Sequence, residues 1–342
     1  MITLLLPACS KKDSPKKQTN PLDLRGADVS FLPEIRTSGF PLYNLNNQRE
    51  DALVTLQKNG VNTVRLRLWH TPSTPTSSLI TVAQLASEIK QLGMKVLLSV
   101  HYSDTWADPG QQQKPAAWAS LTYPQLLDSI YQYTRRVTQL IQPDYIQIGN
   151  EINGGLLWPD GQWSQPLQFK NLLKQGIKAV RETNSSTKII LHYAGHEGAL
   201  SFFSNLSDLD YDIIGLSYYP LWHGKDLNQL SGSLSQLKTL SKSISIVETA
   251  YPFTLNWNDF TNNIIGLPEQ LLSGYPASPQ GQLDFLNKLK SICTDNKLLG
   301  FCYWGAEWVS YKGSNSTTGS SWENQALWNF SGNALPAMEA FQ

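Results

Sequence analysis

The chain has 342 residues, and 27 basic side chains balance 27 acidic ones to a formal net charge of zero. Charged residues make up 16%, against roughly 25% in an average soluble protein, so the sequence offers no electrostatic footprint for nucleic acid or anionic lipid. Eleven tryptophans, fourteen tyrosines, eleven phenylalanines and only three cysteines exclude the disordered, collagenous, coiled-coil and disulfide-scaffold classes and leave an enzyme-sized globule. Most of the tryptophans belong in a core, but their faces also grip flat, hydroxyl-studded ligands without charge.

The opening M-I-T-L-L-L-P-A-C-S-K-K resembles the end of a bacterial lipoprotein export signal, a short apolar run closing on small residues and Cys9. Cys9 would then be the lipidated first residue, and residues 10–21, polar and proline-containing, its tether. A leader with an idle cysteine is the other reading. On the first, residues 1–21 are a signal remnant and tether, 22–342 are the folded unit, and the protein is an exported cell-envelope lipoprotein at the outer surface or in the periplasm. No run of about 18 apolar residues occurs, so no transmembrane helix is expected.

From residue 22 onward, short apolar runs alternate with amphipathic stretches. The predicted strands span 24–30, 63–68, 95–101, 145–151, 188–192, 213–218, 244–248 and 299–304, several rich in β-branched residues and bounded by Gly, Pro, Asp or Asn. Helical patterns lie at 48–60, 82–93, 124–141, 166–180 and 280–292, and Gly60 is a natural terminator for the first. This alternation, without an interior linker, predicts a single α/β domain, a (β/α)8 TIM barrel. A doubly wound open sheet is the alternative, but no glycine-rich phosphate fingerprint follows the first strand. The loops after strands three, four, seven and eight are long, and in a barrel such loops build the active site. Cys293 and Cys302 either pair or sit as buried thiols.

Strand parity points at chemistry. In T-V-R-L-R-L, Val64, Leu66 and Leu68 share one face, which should meet the helices, while Thr63, Arg65 and Arg67 share the other. Arginines inside a barrel need an anionic partner, because a buried unpaired charge is very costly. In Y-I-Q-I-G-N-E the inward parity falls on Tyr145, Gln147 and Glu151, and the seventh strand ends on Glu248. Two glutamates at the tops of opposed strands form the pair that glycoside hydrolysis needs, one a proton donor and the other a carboxylate. Arg67 is expected to keep Glu248 ionised, and desolvation to keep Glu151 protonated near neutral pH. Asp28 is a further inward candidate. His101 and His192 end strands, where a histidine is more often structural than catalytic. No H-E-x-x-H, EF-hand loop or G-x-S-x-G elbow occurs, and N-W-N-D-F-T-N-N at 256–263 reads as an ordinary loop rather than a calcium site.

Six strings resemble glycoside hydrolase family 53, the endo-β-1,4-galactanases, over nearly all of residues 22–341. They are R-G-A-D-V-S at 25–30, V-R-L-R-L-W at 64–69, H-Y-S-D-T-W-A-D-P-G-Q-Q-Q-K-P-A-A-W at 101–118, G-N-E-I-N-G-G-L-L-W-P-D-G at 149–161, G-L-S-Y-Y-P-L-W-H-G at 215–224 and V-E-T-A-Y-P-F-T at 247–254. The resemblance implies that Glu151 is the general acid/base and Glu248 the nucleophile of a retaining double displacement on pectic galactan. Carboxyl groups of such a pair stand roughly 5 to 5.5 Å apart.

By the same resemblance Asn150 would meet the sugar 2-hydroxyl, and Arg67 and Tyr218 would orient the nucleophile. Asp28, His101, Asp104, Trp106 and Trp304 would face the substrate, with Trp158, Trp222 and His223 at the cleft edges. No cofactor is implied, and the protein is expected to act as a monomer. After the eighth strand the family often reads Y-W-E-P-A-W, whereas this chain has Y-W-G-A-E-W at 303–308, followed by a short loop rich in Ser, Thr and Gly. Some bacterial members bind calcium with a longer loop here, so calcium is not expected. On the residues alone, two other readings stay open: a related barrel cutting β-mannan or β-glucan, and a non-catalytic glycan-binding barrel.

Overall fold

Eight parallel strands close on themselves in a computed structural model that describes residues 21–342. They are β1 (Leu24–Asp28), β2 (Thr63–Leu68), β3 (Lys95–Val100), β4 (Tyr145–Ile148), β5 (Lys188–Ala194), β6 (Ile213–Ser217), β7 (Ser243–Thr249) and β8 (Gly300–Tyr303). Each pairs with its sequence neighbours, and β8 returns to β1. The open-sheet alternative is thereby excluded. The lipidation and tether expected around Cys9 lie outside the described residues.

The connections carry α1 (Leu32–Ser38), α2 (Ala52–Lys58), α3 (Leu79–Gln91), α4 (Tyr123–Ile141), α5 (Pro166–Thr183), α6 (Ala199–Asn205), α7 (Pro220–His223), α8 (Leu227–Leu237) and α9 (Pro279–Asp295). Local chemistry sets their ends. Asp51 caps α2 by accepting from Leu53 N at 2.9 Å, and Gln125 Oε1 reaches back to the Thr122 backbone N at the start of α4. Gly60 follows α2 with a φ of 98°, where a side chain would be strained and a Cβ would stand 2.4 Å from the Phe341 carbonyl oxygen. That contact seats the C-terminal 3-10 segment Pro336–Phe341 against the barrel.

Alternation sorts the core into two compartments. Val64, Leu66, Leu68, Val96, Leu98, Ile146 and Ile148 face outward and bury against the helices. Inside the barrel, Leu24, Leu97, Tyr145, Ile190, Ile213, Val247 and Cys302 pack as a separate plug. Polar side chains sit on top of that plug, so the catalytic end is raised on an apolar floor. Cys293 and Cys302 are both buried and both free, which decides between the pairing and thiol readings.

Candidate active site

The β2 strand delivers Arg65 to the barrel axis, where 1% of it remains exposed. Its guanidinium donates from Nη1 to Asp28 Oδ2 at 2.6 Å, from Nη2 to Glu248 Oε1 at 2.5 Å and from Nε to Gln147 Oε1 at 2.9 Å. Nη2 also reaches Asn150 Oδ1 at 2.9 Å. The burial cost of the cation is thus offset by two carboxylates and two amides. This corrects the expectation for Arg67, which lies on the same face two residues further along. Rings of Phe31, Trp69 and Trp106 enclose its guanidinium at 4.6, 4.5 and 4.1 Å, and Nε donates to Ser77 Oγ at 3.0 Å. Burial lowers Arg67 to about 10.

Both glutamates owe their aim to breaks in strand period. The β4 strand stops at Ile148 rather than running to residue 151. Gly149 follows with a φ of 86° and Glu151 with a φ of 47°, so Asn150 and Glu151 both turn inward although they are adjacent. In β7 the pairing shifts register, Leu216 lying beside Ile246 but Ser217 beside Glu248. This bulge rotates Glu248 into the barrel, whereas unbroken alternation would send it toward the helices after inward Val247.

The two carboxyls are held differently. Glu248 sits between Arg65 and Tyr219, whose hydroxyl donates to Oε2 at 3.0 Å. Burial raises the Glu248 carboxyl, and Arg65 is the chief opposing influence. Among the described residues no cation contacts Glu151; its Oε1 accepts from Ser217 Oγ at 2.5 Å. Burial, and next the charge of Glu248, push Glu151 up to about 8. One proton shared between them therefore belongs to Glu151. Tyr219 is raised well above the usual phenol range by burial and by Glu248, so it remains a donor.

A cavity of about 510 Å³ opens over the pair, lined by His101, Trp106, Asn150, Glu151, Trp222, His223, Glu248 and Trp304 among others. Asn150 Oδ1 is fixed by Arg65, and Nδ2 gives one hydrogen to the Ala107 carbonyl at 2.8 Å. His101 accepts from Ala107 N through Nδ1 and is held neutral, well below its usual range, by burial and Arg67. Trp222 is half exposed and stacks over Trp322 at 6.2 Å between ring centres. Trp304 meets Trp322 edge-on at 4.7 Å.

Other expected positions fall elsewhere. Asp28 lies beneath the cavity as a partner of Arg65. Asp104 caps loop backbone, accepting from Thr71 N and Ala116 N at 2.8 Å each, and lines no part of the cavity. Trp158 is turned to the Gly154 carbonyl. Tyr218 is fully buried and donates to the Gly224 carbonyl; its expected place at Glu248 is taken by Tyr219, one residue on.

Sequence reasoning missed Arg65 as the ion-pair partner, Tyr219, Ser217 and the wall residues Trp308 and Trp322. Arg65 shares a face with Arg67, and the in-register pairing of Arg65 with Asp28 decides between them. The two tryptophans sit in irregular loop with no period to read. In the departing Y-W-G-A-E-W string, buried Glu307 accepts from Phe31 N at 2.7 Å, and Phe31 stacks on Trp308 at 3.9 Å.

The tract at 256–263 is held by protein contacts. Asp259 accepts from Thr261 N and Ser310 Oγ, and Glu323 Oε1 accepts from Asn258 N at 2.7 Å. Among the described residues no group of three or more His, Cys, Asp or Glu side chains is placed to hold a metal ion.

An eight-stranded α/β barrel carrying a high-pKa glutamate and an arginine-paired glutamate in one aromatic cleft defines the site of a glycoside hydrolase. Residues 24–341 match the glycosyl hydrolase family 53 model, and the chain belongs to that family. It is 35% identical to the arabinogalactan endo-β-1,4-galactanase of Cellvibrio japonicus, over 93% of this chain and 90% of the relative. Among solved structures, the family 53 catalytic domain of Ignisphaera aggregans superposes with a TM-score of 0.90 at 38% identity, covering 96% of this chain and 97% of that one. A structure reported for two fungal β-1,4-galactanases gives 0.82 at 28% identity, with coverage of 94% and 99%.

Proposed function

We propose that this glycoside hydrolase cleaves β-1,4-galactosidic bonds within pectic galactan by double displacement with retention. The observation that carries the mechanism is the unequal treatment of the two carboxyls, Glu248 paired with Arg65 and Glu151 pushed up to about 8. Galactan as substrate rests on what the relatives' names say of those proteins.

In the first step a Glu248 oxygen attacks the anomeric carbon. The bond from that carbon to the glycosidic oxygen breaks, and the Glu151 proton passes to the departing oxygen. In the second, Glu151, now a carboxylate, takes a proton from water as the water oxygen displaces Glu248. The second hydrogen of Asn150 Nδ2 meets the sugar 2-hydroxyl as charge builds on the ring. Trp106, Trp222 and Trp304 hold sugar faces, and Arg65 keeps the nucleophile ionised. The protein works as a monomer, exported and anchored through Cys9.

Glu248→Ala abolishes galactan hydrolysis while the fold persists. Added azide restores turnover of an activated galactoside and yields the inverted glycosyl azide, whereas azide rescue of Glu151→Ala yields the retained anomer. Substantial galactan turnover by Glu248→Ala without azide removes the nucleophile from this reading. Digesting galactan, mannan and cellulose side by side tests the substrate, with random mid-chain cuts expected in galactan alone.

A further inference from the structure

Beneath Glu151 a buried file starts at Arg65 and runs through three polar side chains, Gln147, His192 and Ser217, that the mechanism above does not use. Arg65 Nε donates to Gln147 Oε1, Gln147 Nε2 lies 2.8 Å from His192 Nδ1, and His192 Nε2 lies 2.9 Å from Ser217 Oγ. Ser217 Oγ in turn contacts Glu151 Oε1 at 2.5 Å. Gln147, His192 and Ser217 are all fully buried.

The direction of every bond in the file follows from its first member. Arginine is only a donor, so the Gln147 atom beside it is the oxygen and the amide NH2 faces His192. His192 Nδ1 must then accept, as it also does from Glu151 N at 3.3 Å. Its 3.2 Å approach to Asn150 Oδ1 is consequently a contact between acceptors, since that oxygen is already served by Arg65 and Ser99. With Nδ1 accepting, a neutral imidazole carries its hydrogen on Nε2 and donates to Ser217 Oγ. Ser217 is left to give its one hydrogen to Glu151 Oε1. Burial and the charge of Arg65 keep His192 well below its usual range, so the imidazole stays neutral and the file keeps its direction.

We propose that His192 and Ser217 are positioning residues for the acid/base: the one-way file from Arg65 makes Glu151 Oε1 an obligate acceptor and thereby confines the transferable proton to Oε2. The inference rests on the reading of Glu151 as the acid/base. The same Arg65 that holds Glu248 ionised begins the file, so both carboxyls take their state from one cation. Around Glu151 the charged and titratable groups are Glu248 from β7, Arg65 from β2, Asp108 from the β3 loop, and Tyr219 and His192 from the β6 loop and β5. Among the described residues only Ser217 hydrogen-bonds its carboxyl. A hydroxyl donated to a carboxylate favours the charged form. Its removal therefore raises the Glu151 pKa, whereas a disordered, wetter site lowers it.

The test compares Ser217→Ala with the parent enzyme on galactan and on a dinitrophenyl β-1,4-galactobioside, whose leaving group departs without a proton. General acid catalysis contributes roughly 10²–10⁴-fold, and misplacing the proton should forfeit about 10- to 100-fold of it on galactan. Turnover of the dinitrophenyl substrate stays within about 3-fold, in the first step at saturating azide, and the basic limb of kcat/KM on galactan moves to higher pH. His192→Asn, which withdraws the donor that points Ser217, moves the limb the same way by less and stands in should Ser217→Ala fail to fold. Equal losses on both substrates, or a basic limb that stays or moves down, overturn the proposal. A Glu151→Ala control separates the two readings. If it loses galactan but keeps the dinitrophenyl substrate while the Ser217 and His192 variants match the parent, only the file is wrong. If it cleaves galactan normally, the acid/base assignment falls and the file with it.

Discussion

Arg65 is the side chain on which the most charge converges. It neutralises Asp28 and Glu248 at once, with all three groups nearly free of water. Arg65→Ala leaves two buried carboxylates without a cation, and removing one partner of a buried pair costs about 3–5 kcal/mol. Urea titration should show that loss at neutral pH, with partial recovery at acidic pH, where the orphaned Glu248 carboxyl, raised by burial, takes up a proton. Glu151 gives the pH dependence its sign. Its folded-state pKa lies above the ordinary 4.5, at about 8, so the stability it contributes is complete below about 4.5 and is lost as pH rises through about 8. Melting temperature should therefore decline between those values in the parent and less steeply in Glu151→Gln. Over the same upper limb kcat/KM should fall, because the acid for the first step is being titrated away.

At the scale of elements, function sits where regular structure stops. Gly149 ends β4 in the left-handed region, and a Cβ there would stand 2.5 Å from Ile152 Cγ2. Gly149→Ala should cost about 1–3 kcal/mol through strain, read by thermal or urea melts. It should also reduce kcat more than KM is raised, since the turn aims both Asn150 and Glu151. This explains what was legible beforehand. The strands were readable to within a few residues because each buries an apolar outer face, and Val64-Arg65-Leu66-Arg67-Leu68 announced two inward arginines by period alone. Which arginine meets the nucleophile was not readable, since that depends on height above the barrel floor and on register with Asp28. The bulge at Glu248 follows no residue signal, and Tyr218 and Tyr219 are neighbours whose order is settled by where β6 ends. Trp308 and Trp322 both come from the long segment after β8, which is tied to the loop after β7 by backbone bonds such as Ile264 N to the Ser321 carbonyl at 3.0 Å, a partnership without period.

Over the whole molecule, an apolar plug inside the strands carries a polar deck, and the chain's last segment is locked against Gly60 on the opposite side of the sequence. Cys302 belongs to that plug, and Cys293 lies on α9 against the outer wall; both are wholly buried. Burial pushes both thiols up, which makes them inert as nucleophiles. They are consequently a built-in stopwatch. In a Cys9→Ser background, a maleimide reagent should label neither until the staves part, and both should then react at a single rate equal to that of global opening. Faster capture of Cys293 would mean that α9 peels away while the cylinder still stands.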